Sequence, residues 1–333
     1  MGVNSKKSIL FVVLMGLTVF AFFSDLIFGS IRIPFCEVVV ALSGDVSNTI
    51  NSEILFNYRL PKAITAVLVG ASLSVVGLMM QTLFRNPLAD PYILGVSSGA
   101  SLGVAVSMMS VGLFPFAFAT NSAVIILSAI VGAALIMLLV IGVSFRVQST
   151  VSLLIVGIMF GTIASSIVSV LQYFANPDAI KLFVMWNLGN LGGVTWEQLY
   201  YLIPIVFLGL LLSFFLQKRL DALLLGENYA GGLGISILQT RVLIIIVTGL
   251  LTGTVTAFTG PIAFVGIAVP HIARGIFRTS KHQVLIPASI LIGSALILIC
   301  DIVSQIPTYT LPINTISSLF GAPVIIWIIL KRR

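Results

Sequence analysis

Residues 121–144 read NSAVIILSAIVGAALIMLLVIGVS, with no charged residue in the run. About 20 mostly apolar residues in a helix cross the hydrocarbon core of a bilayer. A helix is the form such a run takes there, because it satisfies its own backbone donors and acceptors without water. Nine further apolar segments lie along the chain, near 8–28, 61–83, 92–112, 151–173, 198–217, 242–258, 261–277, 284–300 and 313–330. The one near 261–277 is short and marked by Gly260-Pro261 and Pro270. Ten crossings are therefore expected in a single all-α domain over 1–333.

Composition agrees. The 333 residues are 59% hydrophobic and 8% charged, and the mean hydropathy is +1.18. Soluble domains average about 25% charged residues. This balance excludes a soluble enzyme, a disordered chain and a secreted disulfide scaffold. The net charge of +7 comes from basic residues scattered singly between apolar runs, so it speaks for topology rather than nucleic acid. With a cytoplasmic N-terminus and ten crossings, thirteen Lys and Arg fall inside: Lys6, Lys7, Arg85, Arg146, Lys218, Arg219, Arg241, Arg274, Arg278, Lys281, Lys331, Arg332 and Arg333. Only Arg32, Arg59, Lys62 and Lys181 fall outside. That asymmetry has the direction of the positive-inside rule, and it puts both termini in the cytoplasm. Lys6-Lys7 followed by the run from Ser8 to Phe28 reads as an uncleaved first span, since no small-residue cleavage site follows.

Two connections are long: an outside segment over 29–60 and an inside segment over 217–240. Long polar segments between spans are commonly functional. Gly95, Gly99 and Gly103, then Gly157 and Gly161, then Gly249 and Gly253, repeat every fourth residue and predict close helix packing. Cys36 and Cys300 have no metal or redox spacing. The chain has no phosphate-binding G-x-x-x-x-G-K-[ST] run, no H-E-x-x-H and no nucleophile elbow. Ion-coupled transporters place acids or histidines inside the bundle. Here the acids sit at or near connections, so uphill movement would draw its energy from a separate ATPase. An ion-coupled transporter and a membrane-embedded enzyme are the competing classes. The second needs paired polar residues at one membrane face, and His271 and His282 have no evident partners in the sequence.

Several strings are more specific. Arg59-Leu60-Pro61-Lys62 opens the second span. Gln81-x-x-x-Arg85-Asn86-Pro87-Leu88-Ala89-Asp90-Pro91 closes it and leads to Leu94-Gly95-x-x-x-Gly99-Ala100. The inside segment holds Gly226-Glu227-x-x-Ala230-x-x-Leu233-Gly234. Gly260-Pro261-Ile262-Ala263-Phe264-Val265-Gly266, Pro270-His271-x-x-Arg274, Leu311-Pro312-Ile313-Asn314 and Gly321-Ala322-Pro323-Val324 follow. From about residue 55 to the end, the chain resembles the FecCD-type permeases of type II ABC importers, which carry iron-siderophores, haem or cobalamin.

The resemblance implies a homodimer in a bacterial inner membrane, with two ATP-binding subunits below it and an extracytoplasmic substrate-binding protein above. It implies no cofactor or metal bound by this chain, no bond chemistry, and no nucleic-acid partner. Gly226, Glu227, Ala230, Leu233 and Gly234 match the coupling helix, against the plainer reading of a solvated loop. Arg59 and Lys62 match cations that meet an acidic binding protein, against the alternative of interfacial anchors. Ser149 and Thr150 match a cytoplasmic gate, and they also suit a helix cap. Arg85, Asn86 and Pro87 read as a structural bend, with ATPase contact as the alternative. His271 and Arg274 read as interface geometry rather than a metal site. Trp186 reads as an interfacial residue or part of the substrate entrance. Relatives often carry Arg and Glu where this chain has Gln305 and Thr310, which leaves a third docking charge in question. A ferric siderophore is the expected solute, with haem and cobalamin as alternatives. Pro/Gly breaks near Pro87–Pro91 and Pro261–Pro270 hint at two related halves.

Overall fold

The computed structural model describes residues 2–29, 31–43, 50–109, 121–147, 149–307 and 309–331. Sixteen α-helices and no strands occur among them: α1 (Gly2–Ile27), α2 (Phe35–Leu42), α3 (Ile50–Ile54), α4 (Leu60–Leu83), α5 (Val96–Met109), α6 (Ser122–Ser144), α7 (Thr150–Phe174), α8 (Pro177–Asn187), α9 (Trp196–Phe215), α10 (Gln217–Leu225), α11 (Glu227–Gly232), α12 (Ile237–Thr248), α13 (Thr254–Thr259), α14 (Val265–Phe277), α15 (His282–Ser304) and α16 (Ile313–Lys331). Single π-turns at Leu55–Arg59 and Gly249–Gly253 join α3 to α4 and α12 to α13.

Seven helical stretches are long and apolar enough to cross a membrane, and Val96–Met109, Val265–Phe277 and Ile313–Ile326 are shorter apolar helices. Together they match the ten apolar segments one for one. The boundaries differ where turn chemistry intervenes. The third begins at Val96 because Asp90 caps a 3₁₀ turn over Pro91–Leu94, and Gly95 leaves it at φ 79°. The eighth begins at Val265, after Gly260 and Phe264 at positive φ. The second extends outward to Ile50, so much of the outside segment is helical.

α4 is the centre of the bundle, with an unbroken buried run from Val69 to Leu83. A helix buried all round needs partners on every side. It packs on α15, α14, α1 and α9. Two of these crossings are backbone to backbone. A Cβ at Gly70 would strike the Gly293 carbonyl, and one at Gly77 would strike the carbonyl of Gly266. The predicted glycine face of α5 packs the same way. Gly99 faces the Gly132 carbonyl of α6, and Gly95 sits against Gly157 and Gly161 of α7. By contrast α1, α6, α7 and α9 are mostly uncovered.

Five helices, α2, α3, α8, α10 and α11, lie in connections that hydropathy reads as loops. α8 starts where Asn176 Oδ1 accepts the Ala179 N–H at 2.9 Å, with Pro177 next and Asp178 in the first turn. Those are helix-start signals, so α8 was findable. α10 has no side-chain cap. Cys36 is exposed, Cys300 is buried, and both are free.

Candidate functional site: two faces of a helical bundle

The two Pro/Gly breaks meet inside the bundle. The Ile262 N–H donates to Tyr92 Oη at 3.0 Å, and the Thr256 hydroxyl lies 3.3 Å from the same oxygen. The Pro91 ring sits where a Cβ on Gly266 would go. Phe264 holds φ 69° just before α14. Left-handed backbone at a bulky residue is strained and persists only where its surroundings fix it. Here Asn314 Oδ1 accepts the adjacent Ala263 N–H at 3.0 Å.

On the inner side, the polar residues singled out in the sequence join into one network. Arg274 Nη1 donates to Gln81 Oε1 at 2.6 Å, and Gln81 Nε2 donates to the Ile267 carbonyl at 3.2 Å. His271 Nε2 lies 2.8 Å from the Pro87 carbonyl. A carbonyl only accepts, so that nitrogen carries the proton. Asn86 Oδ1 accepts the Leu88 N–H at 3.0 Å and turns the chain. Arg85, at φ 46°, reaches across to the Leu223 carbonyl of α10 at 3.1 Å. Burial pushes the Asp90 carboxyl up to about 6, against the pull of the Tyr92 N–H that it accepts. These residues lock α4, α14 and α10 together. His271 and Arg274 of α14 thus reach the Pro87 carbonyl and Gln81, and no group of three or more metal-ligating residues occurs among the described residues.

The inside segment is two helices on different supports. α10 packs on α4 and α15. Asp221 Oδ1 accepts both the backbone N–H of His282, at 2.9 Å, and its Nδ1–H, at 2.7 Å. α11 packs against α10 across the Gly226 bend and against α12. Between α10 and α11 Gly226 holds φ 122°, ψ 146°, a conformation open essentially to glycine alone. Glu227 pairs with Arg241 at 3.6 Å. Ala230 is fully buried beneath α11, while Leu225, Tyr229 and Leu233 are well exposed. Leu225, Tyr229 and Leu233 thus form the exposed apolar face of the segment, and Ala230 is its packing foot. The sequence pattern did not separate these roles.

Ser149 Oγ accepts the Ser152 N–H at 3.4 Å and caps α7, which begins at Thr150. The cap reading is thus present in the fold. It leaves Ser149 exposed.

The outer side departs from expectation. Arg59 is 6% exposed. Its guanidinium donates to the Leu26 carbonyl at 2.6 Å, the Ile27 carbonyl at 2.8 Å and the Ile31 carbonyl. Leu26 and Ile27 close α1 and Ile31 lies in the segment that follows, and a planar multi-donor group suits three carbonyls so placed. Lys62 Nζ pairs with Asp301 Oδ2 at 2.7 Å. Gln305 Nε2 donates to the same carboxyl oxygen at 2.8 Å. Asp25 is wholly buried and faces Asp301, with Lys62 and Arg59 as its charged neighbours. Arg59 and Lys62, expected to meet a binding protein, are both engaged within this chain, Arg59 by backbone carbonyls at and just after the end of α1 and Lys62 by Asp301. Sequence position put Asp25 and Asp301 near connections and missed that both face the bundle.

It follows that Arg59→Glu acts through the fold. The variant should melt at lower temperature in detergent by an amount that salt does not restore, since buried groups are weakly screened. A normal melting temperature with salt-sensitive loss of partner binding would return Arg59 to the docking surface. Beside these residues a cavity of about 650 Å³ opens between Tyr58, Lys62, Asn190, Gln305 and Pro312.

Seven helical stretches long and apolar enough to cross a membrane, with three shorter apolar helices among the described residues, define a multi-pass membrane protein. The family comparison agrees: the model of the FecCD transport family matches residues 17–331. The chain belongs to that family of importer permeases, whose ATP hydrolysis resides in separate subunits, and it is a multi-pass inner-membrane protein. Over 283 residues it is 36% identical to the vitamin B12 import system permease protein BtuC of Klebsiella pneumoniae, covering 84% of this chain and 83% of that one. It is 35% identical over 292 residues to the protein of the same name from Salmonella typhi, covering 86% and 87%. The Vibrio parahaemolyticus protein is 34% identical over 285 residues, covering 84% of each. Among solved structures, an inward-facing conformation of a metal-chelate type ABC transporter superposes with a TM-score of 0.85 at 27% identity, covering 97% of this chain and 99% of that one.

Proposed function

We propose that this chain translocates a corrinoid of the cobalamin type, as a homodimer with both termini in the cytoplasm. It would be loaded by an extracytoplasmic binding protein and driven by two ATPase subunits. The observation that carries the solute class is the run of vitamin B12 permeases at 34–36% identity across more than four-fifths of the chain. This replaces the ferric siderophore favoured from the sequence. The metal-chelate transporter of matching fold keeps ferric siderophores as the second reading.

Alternating access needs contacts that differ between two states. In this reading the exposed Leu225, Tyr229 and Leu233 seat the inner loop in the ATPase. Ser149 and Thr150 of two copies narrow the inner mouth without burying a charge. Because the outer cations are paired internally, docking rests on the rim of the outer cavity rather than on Arg59.

A strain lacking the gene, offered labelled cobalamin, haem and ferric siderophore separately, tests the solute. Loss of cobalamin uptake alone, restored by the gene, is expected. Loss of ferric-siderophore uptake alone would establish the second reading.

A further inference from the structure

We propose that Arg241 is the positioning residue that carries movement of α11 to the α6–α7 turn, and so to Ser149 and Thr150. The inference rests on the reading of the inner loop as the ATPase contact. Arg241 lies in the first turns of α12 and is 3% exposed. Its Nη1 donates to the Val147 carbonyl at 2.8 Å, and Nη2 lies 3.6 Å from Glu227 Oε1. One buried guanidinium thereby ties together three segments: α11, α12 and the turn that ends two residues before Ser149.

A fixed planar fork holds two acceptors in a set geometry, which a flexible ammonium does not. Removing one partner of a buried charge is strongly unfavourable. Arg241 is the buried member of the pair and the Glu227 side chain is 35% exposed, so the cost of separation falls on the guanidinium, which follows Glu227 when α11 shifts and draws the Val147 carbonyl with it. α10 does not follow, because Asp221 on His282 and Arg85 on the Leu223 carbonyl hold it to α15 and α4. The bend between the two bodies falls at Gly226, whose backbone only glycine adopts easily. The loop thus converts a push on α11 into displacement of the gate turn relative to the α4–α15 core.

The test uses the complete transporter in liposomes, with its ATPase subunits and binding protein, and reads ATP hydrolysed per labelled cyanocobalamin imported. Arg241→Met is expected to raise that ratio about tenfold, within the usual range of inter-site coupling. Glu227→Gln should raise it too, and the double variant should be no worse than the larger single, as for two residues acting through one contact. Hydrolysis and uptake falling in the same proportion, or single effects that multiply in the double variant, would overturn the proposal. Where Arg241→Met does not assemble, Arg241→Lys decides by the same ratio, since it keeps the charge but cannot span both acceptors.

A second readout needs no solute. Spin labels at positions 231, exposed in α11 with nothing within 4 Å, and 146, on a Cys36→Ser background, should keep one separation with and without ATP, and lose it in Arg241→Met. A wild-type separation that changes with ATP would overturn the linkage. Failure of the wild type to import cobalamin, with this separation constant, would instead count against the solute reading alone.

Discussion

Replacing Gly77 by valine is expected to leave no assembled, transport-competent protein, whereas valine at Gly16 leaves it intact. At Gly77 the new Cβ falls on the Gly266 backbone carbonyl of α14, and no rotamer moves a backbone atom. α4 and α14 must separate, and the buried run of α4 loses its partner. Overpacking in a core costs about 1–3 kcal/mol when side chains can yield, so a backbone collision belongs at or above the top of that range. The Gln81–Arg274 bond bridges the same two helices one turn further on and would be pulled apart with them. At Gly16 nothing lies within 4 Å of the added atom. Size-exclusion profiles and uptake of the two variants check this. A well-assembled, active Gly77→Val protein would mean that the α4–α14 crossing is looser than described.

Lys62→Met should be nearly as damaging, for an electrostatic reason. Lys62 and Asp301 are side chains 14% and 6% exposed, 2.7 Å apart. Removing one partner of a buried pair typically costs about 3–5 kcal/mol, because the other charge remains without compensation. Pairing Lys62→Met with Asp301→Asn should recover most of the lost thermal stability. Gln305 would then face a neutral amide, which it can still hydrogen-bond. A single variant as stable as the wild type would show the cluster to be solvated, and a double variant no better than the single would show that charge is not the cause of the loss.

The ten apolar segments were legible because bilayer crossing is a demand on composition and length. The glycine contacts of α5 were legible because small residues at every fourth position share one helix face. What escaped the sequence was orientation. Arg59 and Lys62 read as outward cations, since nothing local shows that α1 ends in open carbonyls or that Asp301, some 240 residues away in sequence, turns toward Lys62. Ala230 was grouped with Glu227 and Leu233 because spacing alone does not say which side of a six-residue helix is covered. The link from Glu227 through Arg241 to Val147 joins three segments far apart in sequence, and Arg241 appeared in the sequence only as one more inner charge. α8, in contrast, carries its start signals openly in Asn176-Pro177-Asp178.

The central claim is ATP-driven import of a corrinoid through this chain. Its most direct measurement is accumulation of labelled cyanocobalamin in liposomes holding the chain, its ATPase subunits and the loaded binding protein. Accumulation against a gradient that requires hydrolysable ATP and both partners is the predicted result. Accumulation that a proton or sodium gradient sustains without the ATPase subunits would contradict the account.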